Sequence, residues 1–382
     1  MSERQKRKKY LKIEKIKGQE FLKIMNRKFK NRSVIDKRYK ILKEKENLLF
    51  PLIDNEEKIN LLFRLIEDKF SFKIISKIGI YDKNYKYKNL KEALEKKIPH
   101  KFLNLIPHSY DIVGKIVILE FDNIEGLEDH GFNTIKVEVA KVITEINKNV
   151  TSVFEKKSDI KGIYRIRELN LLYGENKTET IYRENKCIFK LDVNQTFFTP
   201  RLVYERNRIA TSKIKKNEVI IDLFAGVGPF SIQIAKNHQV KLHAFDINPI
   251  AYNYLKENIR LNKLKGSITP HNIDIKSLLD PSIIIGSMLK NKADRIIMNL
   301  PEKSLGFMDI ACFLMKNSGG ILHNYQFCEK PNSIEKAKDK LKYSLEKLNW
   351  YIQEIITSKI VKSYSPKSEL IVLDAKIKSL NN

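Results

Sequence analysis

The chain has 382 residues, enough for two or three domains, and 42% of them are hydrophobic, enough for a sizeable core. Lys and Arg total 72 against 46 Asp and Glu, a net charge of +26 that favours polyanionic partners without separating RNA from DNA or an acidic membrane surface. A plainer source of part of that charge, drift toward Lys-, Ile- and Asn-coding triplets, stays open at this point. Cys187, Cys312 and Cys328 are far apart and belong to no CxxC or Cys/His cluster, which excludes a disulfide framework and a zinc site; no metal is expected. Apolar runs such as that around residues 283–285 are far too short to cross a bilayer, and the basic start MSERQKRKKY leads into no apolar stretch of a secretory signal. A reducing, cytoplasmic setting fits, with a nuclear or mitochondrial pool left open.

Residues 1–46 carry 18 Lys or Arg against 6 Asp or Glu, with partly helical spacing at Phe21, Ile24, Met25 and Phe29. They read as a basic arm, either a marginal helix that touches phosphate or a solvated tail. Residues 47–105 alternate apolar stretches such as INLLFRLIEDKF with lysine-rich turns, giving with the arm a basic N-terminal module, 1–105. A smaller α+β domain follows over 106–192, with a strand at 116–121, a helix at 133–147 and strands near 152–154, 163–172, 180–182 and 187–193. From 193 to 382 strands are predicted at 219–223, 241–246, 267–271, 295–299, 320–327, 350–361 and 370–377. Helical segments separate the first six, which implies βαβ units and a mostly parallel, Rossmann-like sheet of seven strands. The linker SYSPKSE turns the last two strands into an antiparallel hairpin at the sheet edge.

EVIIDLFAGVGPFSI (218–232) is the most informative stretch. A buried strand ends in Asp222, a loop holding Gly226 and Gly228 follows, and a helix starts at Pro229. The glycines let the backbone bend and approach a ligand with no Cβ in the way. Asp222 is positioned to bond an amino group, directly or through water. AFDINP (244–249) puts Asp246 at the end of the second strand, where a carboxylate accepts from ribose hydroxyls. HNID (271–274) brings Asp274 to the third strand end, facing an adenine amino group or capping a helix.

DLFAGVGPF resembles motif I of the class I S-adenosylmethionine-dependent methyltransferases, and its glycine spacing departs from the GxGxxG of dinucleotide enzymes. Further stretches resemble the archaeal and eukaryotic tRNA (guanine-37-N1)-methyltransferases: KGIYRIREL (161–169), FFTPRLVYERNRIA (197–210), IIMNLP (296–301), ILHNYQF (321–327) and SYSPKSELIVLD (363–374). The likeness runs from about 105 to 377 and is weak before that. It implies S-adenosylmethionine as cofactor, held by Asp222, Phe224, Ala225, Gly226, Gly228, Asp246, Ile247, Asp274, Asn299 and Arg201. It also implies tRNA as partner and a monomeric state.

Guanine N1 carries a proton at neutral pH. Methylating it needs a base at N1, charge stabilisation at O6 and in-line placement of the methyl. By resemblance Glu205 is the general base and Arg165 the cation facing O6, while Asn299 orients the base edge. Glu205 can equally pair with Arg201 or Arg208 along a helix, Arg165 can be a plain phosphate contact, and Asn299 can cap a helix. Arg201, Tyr204 and Arg206 are candidate tRNA contacts, Phe197 and Phe198 read mainly as packing, and His323 and Tyr325 as supporting residues. N-L-P-E at 299–302 lacks the aromatic of N-P-P-Y motifs, which disfavours an exocyclic-amine methyltransferase. Three rivals stand beside this reading: a homologous wybutosine-pathway aminocarboxypropyltransferase, a methyltransferase for another RNA atom, and a non-catalytic tRNA-binding protein.

Overall fold

The computed structural model describes residues 7–29, 34–82, 85, 87, 89–95, 97–121, 130–158 and 162–380. Parts of the basic arm and Lys161 of the KGIYRIREL stretch lie outside the described residues. The chain divides into two compact units, Met1–Asn89 and Leu90–Asn382.

The first unit is ordered where the sequence suggested an arm. β1 (Arg7–Glu14) buries Tyr10, Leu11 and Ile13, and α1 (Gly18–Phe29) follows it. β2 (Leu42–Glu44), β3 (Asn47–Pro51), α2 (Glu56–Ile66) and β4 (Phe72–Ile78) complete an antiparallel sheet of order β2-β3-β1-β4. The lysines of β1 hid its alternation, because a basic strand scores as tail on charge alone; Lys8 itself is buried against Asp36 and Asp54, both at 2.9 Å.

In the second unit α3 (Leu90–Leu94) precedes β5 (Asp111–Val113), β6 (Ile116–Leu119), α4 (His130–Ile146), β7 (Ser152–Lys156) and β8 (Leu169–Gly174). These strands form a sheet of order β5-β6-β7-β8, with the parallel β6/β7 pair joined through α4. The strand expected over 163–172 begins only at Leu169. Gly162 at φ 70° and Arg165 at φ 55° break extension, so residues 162–165 run as turns. β9 (Glu179–Glu184) and β10 (Cys187–Asp192) pair as a hairpin.

The remaining elements are α5 (Val203–Ala210), β11 (Val219–Asp222), α6 (Pro229–Asn237), β12 (Lys241–Asp246), α7 (Pro249–Leu261), β13 (Ser267–Asn272), α8 (Ile284–Leu289), β14 (Arg295–Met298), α9 (Met308–Leu314), β15 (Gly320–Glu329), α10 (Ser333–Glu346), β16 (Trp350–Ser363) and β17 (Ser368–Ser379). Their seven-stranded sheet has the order β13-β12-β11-β14-β15-β17-β16 and is parallel except for β17, which runs antiparallel to both neighbours. The expected hairpin is present; β17 inserts beside β15 and leaves β16 as the edge. Alternation along β11 sends Ile220 and Ile221 to opposite cores. One core takes α8, α9 and α10. The other takes α6, α7 and also Val113, Ile116, Phe154 and Phe189, so the α+β segment and the large sheet share one interior.

Two asparagines tie β10 to that sheet. Asn258 on α7 accepts from the Lys190 N–H (2.7 Å) and donates to its carbonyl (3.0 Å), and Asn262, just past the end of α7, does the same for Ile188 (3.0 and 2.7 Å). Side-chain amides thus stand in for a neighbouring strand along β10.

Candidate active site

The loop after β11 is shaped by its glycines. Gly228 (φ 89°) precedes Pro229 at the start of α6, and a Cβ there would sit 2.5 Å from Leu255 Cδ1. Gly226 (φ 55°) has open space at the Cβ position, with only the Phe197 carbonyl oxygen at 3.7 Å. Beside this loop lies a cavity of about 290 Å³ lined by Phe224, Ala225, Gly226, Asp246, Ile247 and Asp274 from the expected cofactor residues, with Asn299, Arg165, Glu302 and Phe307 among the others.

Asp246 lines the cavity with both oxygens anchored, Oδ2 by the Gly226 N–H at 2.7 Å and Oδ1 by the Asn248 N–H at 2.8 Å. Burial raises its pKa and these two donors oppose the rise. Asp274 both lines the cavity and caps the short turn after β13, accepting from the Lys276 N–H at 3.0 Å. Asp222 is placed differently: it is fully buried behind the loop and outside the cavity lining. Ser231 Oγ donates to its Oδ2 at 2.7 Å, and Oδ1 is buried without a partner. Burial pushes its pKa up to about 7, against the hydrogen bonds from Ser231 and Phe224 N–H. Gly228 also lies off the lining.

S-adenosylmethionine fits this donor set. Asp246 offers free lone pairs for ribose hydroxyls, Ile247, Ile275, Phe224 and Phe307 form an apolar slot for a purine, and a Cβ at Gly226 would intrude on the space. The orphaned Asp222 oxygen is an acceptor that an ammonium satisfies through the loop or a water.

A second cavity of about 580 Å³ adjoins the first, sharing Arg165, Phe197, Asn299 and Glu302 as lining. Its walls carry Lys156, Arg165, Arg167, Arg201 and Lys362 against Asp111, Glu120 and Glu302. Arg201, expected at the cofactor, lines this cavity instead and bonds Asp111 at 2.7 Å. Burial lowers the pKa of Arg167 and of Lys362, in the second case helped by Arg201 nearby, and neither has an ion-pair partner among the described residues. Such under-compensated cations invite an anion. Arg165 stands at the junction, its guanidinium 5.1 Å from the Phe197 ring centroid and bonded to Glu302 at 2.6 and 3.3 Å. The Asn299 side chain has no hydrogen-bond partner among the described residues and faces both cavities.

Glu205 is not brought to the junction. It is 3% exposed and lines neither cavity; its carboxylate is bonded to Lys359 (2.6 Å), Arg208 (2.9 Å) and Tyr325 Oη (3.1 Å). Arg208 also bonds Asp374, which holds His323 at 2.6 Å. Burial would raise the Asp374 pKa, but the bonds from His323 and Arg208 hold it well below the usual carboxylate range. Arg206, a candidate tRNA contact, is buried instead: it pairs with Glu184 and donates to the Thr199 carbonyl at 3.0 Å, fixing the segment that lines both cavities. Tyr204 is 85% exposed. Glu302 was missed by the sequence reading, although N-L-P-E placed it one residue past the motif. Among the described residues no group of three or more His, Cys, Asp or Glu is placed to hold a metal ion, and no helix is long and apolar enough to cross a membrane.

Comparison with known proteins extends the likeness into the first unit. The TRM5/TYW2 methyltransferase domain matches residues 180–353 and the TYW2 N-terminal domain residues 90–178. The tRNA (guanine(37)-N(1))-methyltransferase Trm5b of Methanocaldococcus jannaschii is 35% identical over 369 residues, covering 96% of this chain and 98% of its own. A structure described as the complex of aTrm5 and tRNALeu matches with a TM-score of 0.71 and 34% identity over 96% of this chain and 99% of its own. The tRNA(Phe) (4-demethylwyosine(37)-C(7)) aminocarboxypropyltransferase of M. jannaschii is 35% identical but covers only 58% of this chain and 84% of its own. The chain belongs to the archaeal and eukaryotic tRNA (guanine(37)-N(1))-methyltransferase family, within the S-adenosylmethionine-dependent TRM5/TYW2 group.

Proposed function

We propose that this protein, acting as a monomer, transfers the methyl group of S-adenosylmethionine to N1 of guanosine 37 in tRNA. The observation that carries the reading is the shared wall: a cavity suited to the cofactor opens beside a larger cationic one, with Arg165 and Asn299 at the junction. When bound, the cofactor supplies an electrophilic methyl; the residues have to bring guanine N1 to it. The target base lies in a stacked anticodon loop, so it must be extruded into the junction. Arg167, Arg201 and Lys362 hold the flanking phosphates, Arg165 neutralises the charge that builds on O6, and Asn299 orients the base edge.

Proton removal from N1 is assigned to Glu205, on the helix that starts directly after Leu202, a residue lining both cavities. In the described geometry its carboxylate is engaged elsewhere, so base catalysis requires Lys359 and Arg208 to release it.

Aminocarboxypropyl transfer by the same cofactor is the second reading. The alignment favours methylation, since the Trm5b match spans both units whereas the aminocarboxypropyltransferase match covers 58% of the chain. Incubation with unmodified tRNA transcript and labelled cofactor, followed by nucleoside mass analysis, decides. Methylation adds about 14 Da and the rival group about 101 Da, and a transcript with adenosine at position 37 should gain nothing.

A further inference from the structure

We propose that Glu302 reads the exocyclic amino group of the target guanine, as the acceptor half of a fork whose donor half is Arg165. This rests on the assignment of guanosine as substrate. The Watson–Crick edge of guanine presents an acceptor at O6, a donor at N1 and a donor at N2. A matching surface therefore needs donors on one side of N1 and an acceptor on the other. Arg165 and Glu302 form that pair at the junction: Nη1 and Nη2 donate to the two Glu302 oxygens at 2.6 and 3.3 Å. No other hydrogen bond engages the Glu302 carboxylate among the described residues, and its side chain is 41% exposed, facing both cavities.

The two groups satisfy each other until a base arrives. Guanine can then part them by exchange, O6 accepting from Arg165 and the N2 amino group donating to Glu302, so neither charge is left bare. N1 lies between the two contacts, open toward the methyl donor. Adenine offers a donor where O6 would be and only C–H at position 2, so both halves reject it. Inosine keeps O6 and lacks only the amino group, so it isolates Glu302. A site that hydrogen-bonds a substrate N–H discriminates against the analogue without it, because the acceptor is left without that donor.

The test is methylation of matched transcripts carrying guanosine or inosine at position 37 by wild type, Glu302→Ala and Glu302→Gln, with cofactor affinity as the folding control. Wild type should prefer guanosine by about 10- to 100-fold in kcat/KM. Glu302→Ala should lower guanosine methylation toward the inosine level, so that the ratio approaches one. Glu302→Gln, whose amide oxygen still accepts, should keep part of it. If Glu302→Ala slows both transcripts equally and leaves the ratio intact, Glu302 serves only to hold Arg165 and the inference is overturned. A wild type that does not distinguish the two transcripts overturns it as well. A wild type that methylates neither removes the guanosine assignment itself, which is a different result.

Discussion

At the scale of single residues the site depends on a few charges held in specific company. Arg165→Ala removes the cation proposed to face O6, and on that proposal single-turnover methyl transfer should fall by about 10²- to 10³-fold with cofactor affinity unchanged. Glu205→Gln separates two roles. If Glu205 is the base, transfer falls by about 10²- to 10⁴-fold beyond any loss of melting temperature. If it only anchors Lys359, Arg208 and Tyr325, thermal stability drops while the rate per folded molecule holds. Asp222 makes a pH prediction. Its carboxyl ionises near 7 when folded and near 3.8 when free, so the folded state resists ionisation. The contribution of this group to stability is therefore fully present below about 3.8 and is lost as pH rises through 7, by on the order of 4 kcal/mol. Melting curves of cofactor-free Asp222→Asn should be flatter between pH 5 and pH 8 than those of wild type; parallel curves would remove the account. That Asp246 and Ile247 line the cavity was legible because the end of a strand fixes where the residues at it go. Of the Glu205 bonds, the pair with Arg208 was legible from its helical spacing, while those with Tyr325 and Lys359 were not, since both partners come from distant strands.

At the scale of elements, the strand–helix alternation after residue 193 was readable because strands such as β11 and β14 carry short, buried apolar runs between helical segments. The 163–172 segment misled for the converse reason. Its β-branched residues favour extension, but the left-handed backbone at Gly162 and Arg165 turns the chain and lifts the arginine to the junction. The β10 edge was also hidden, since its partner is a helix. Asn258→Ala leaves the Lys190 N–H and carbonyl and the Val227 carbonyl without that partner, and should cost about 2–3 kcal/mol in chemical denaturation, with the rate at saturating cofactor changed far less.

At the scale of the whole molecule, the charge of +26 belongs to substrate capture. The tRNA dissociation constant should rise at least tenfold, roughly, between about 50 and about 200 mM salt, while cofactor affinity barely changes. Charge had made the N-terminal unit look like a tail, whereas it folds around its own core of Leu11, Phe21, Phe50, Leu62 and neighbours. The position of β17 bears on biosynthesis. Residues 368–379 lie between β15 and β16, and Asp374 there holds Arg208 and His323. Until that segment leaves the ribosome, β15 has an open edge and Arg208 lacks its aspartate. The sheet, and the contacts of Asp374 with Arg208 and His323, can therefore close only once residues 368–379 have been synthesised.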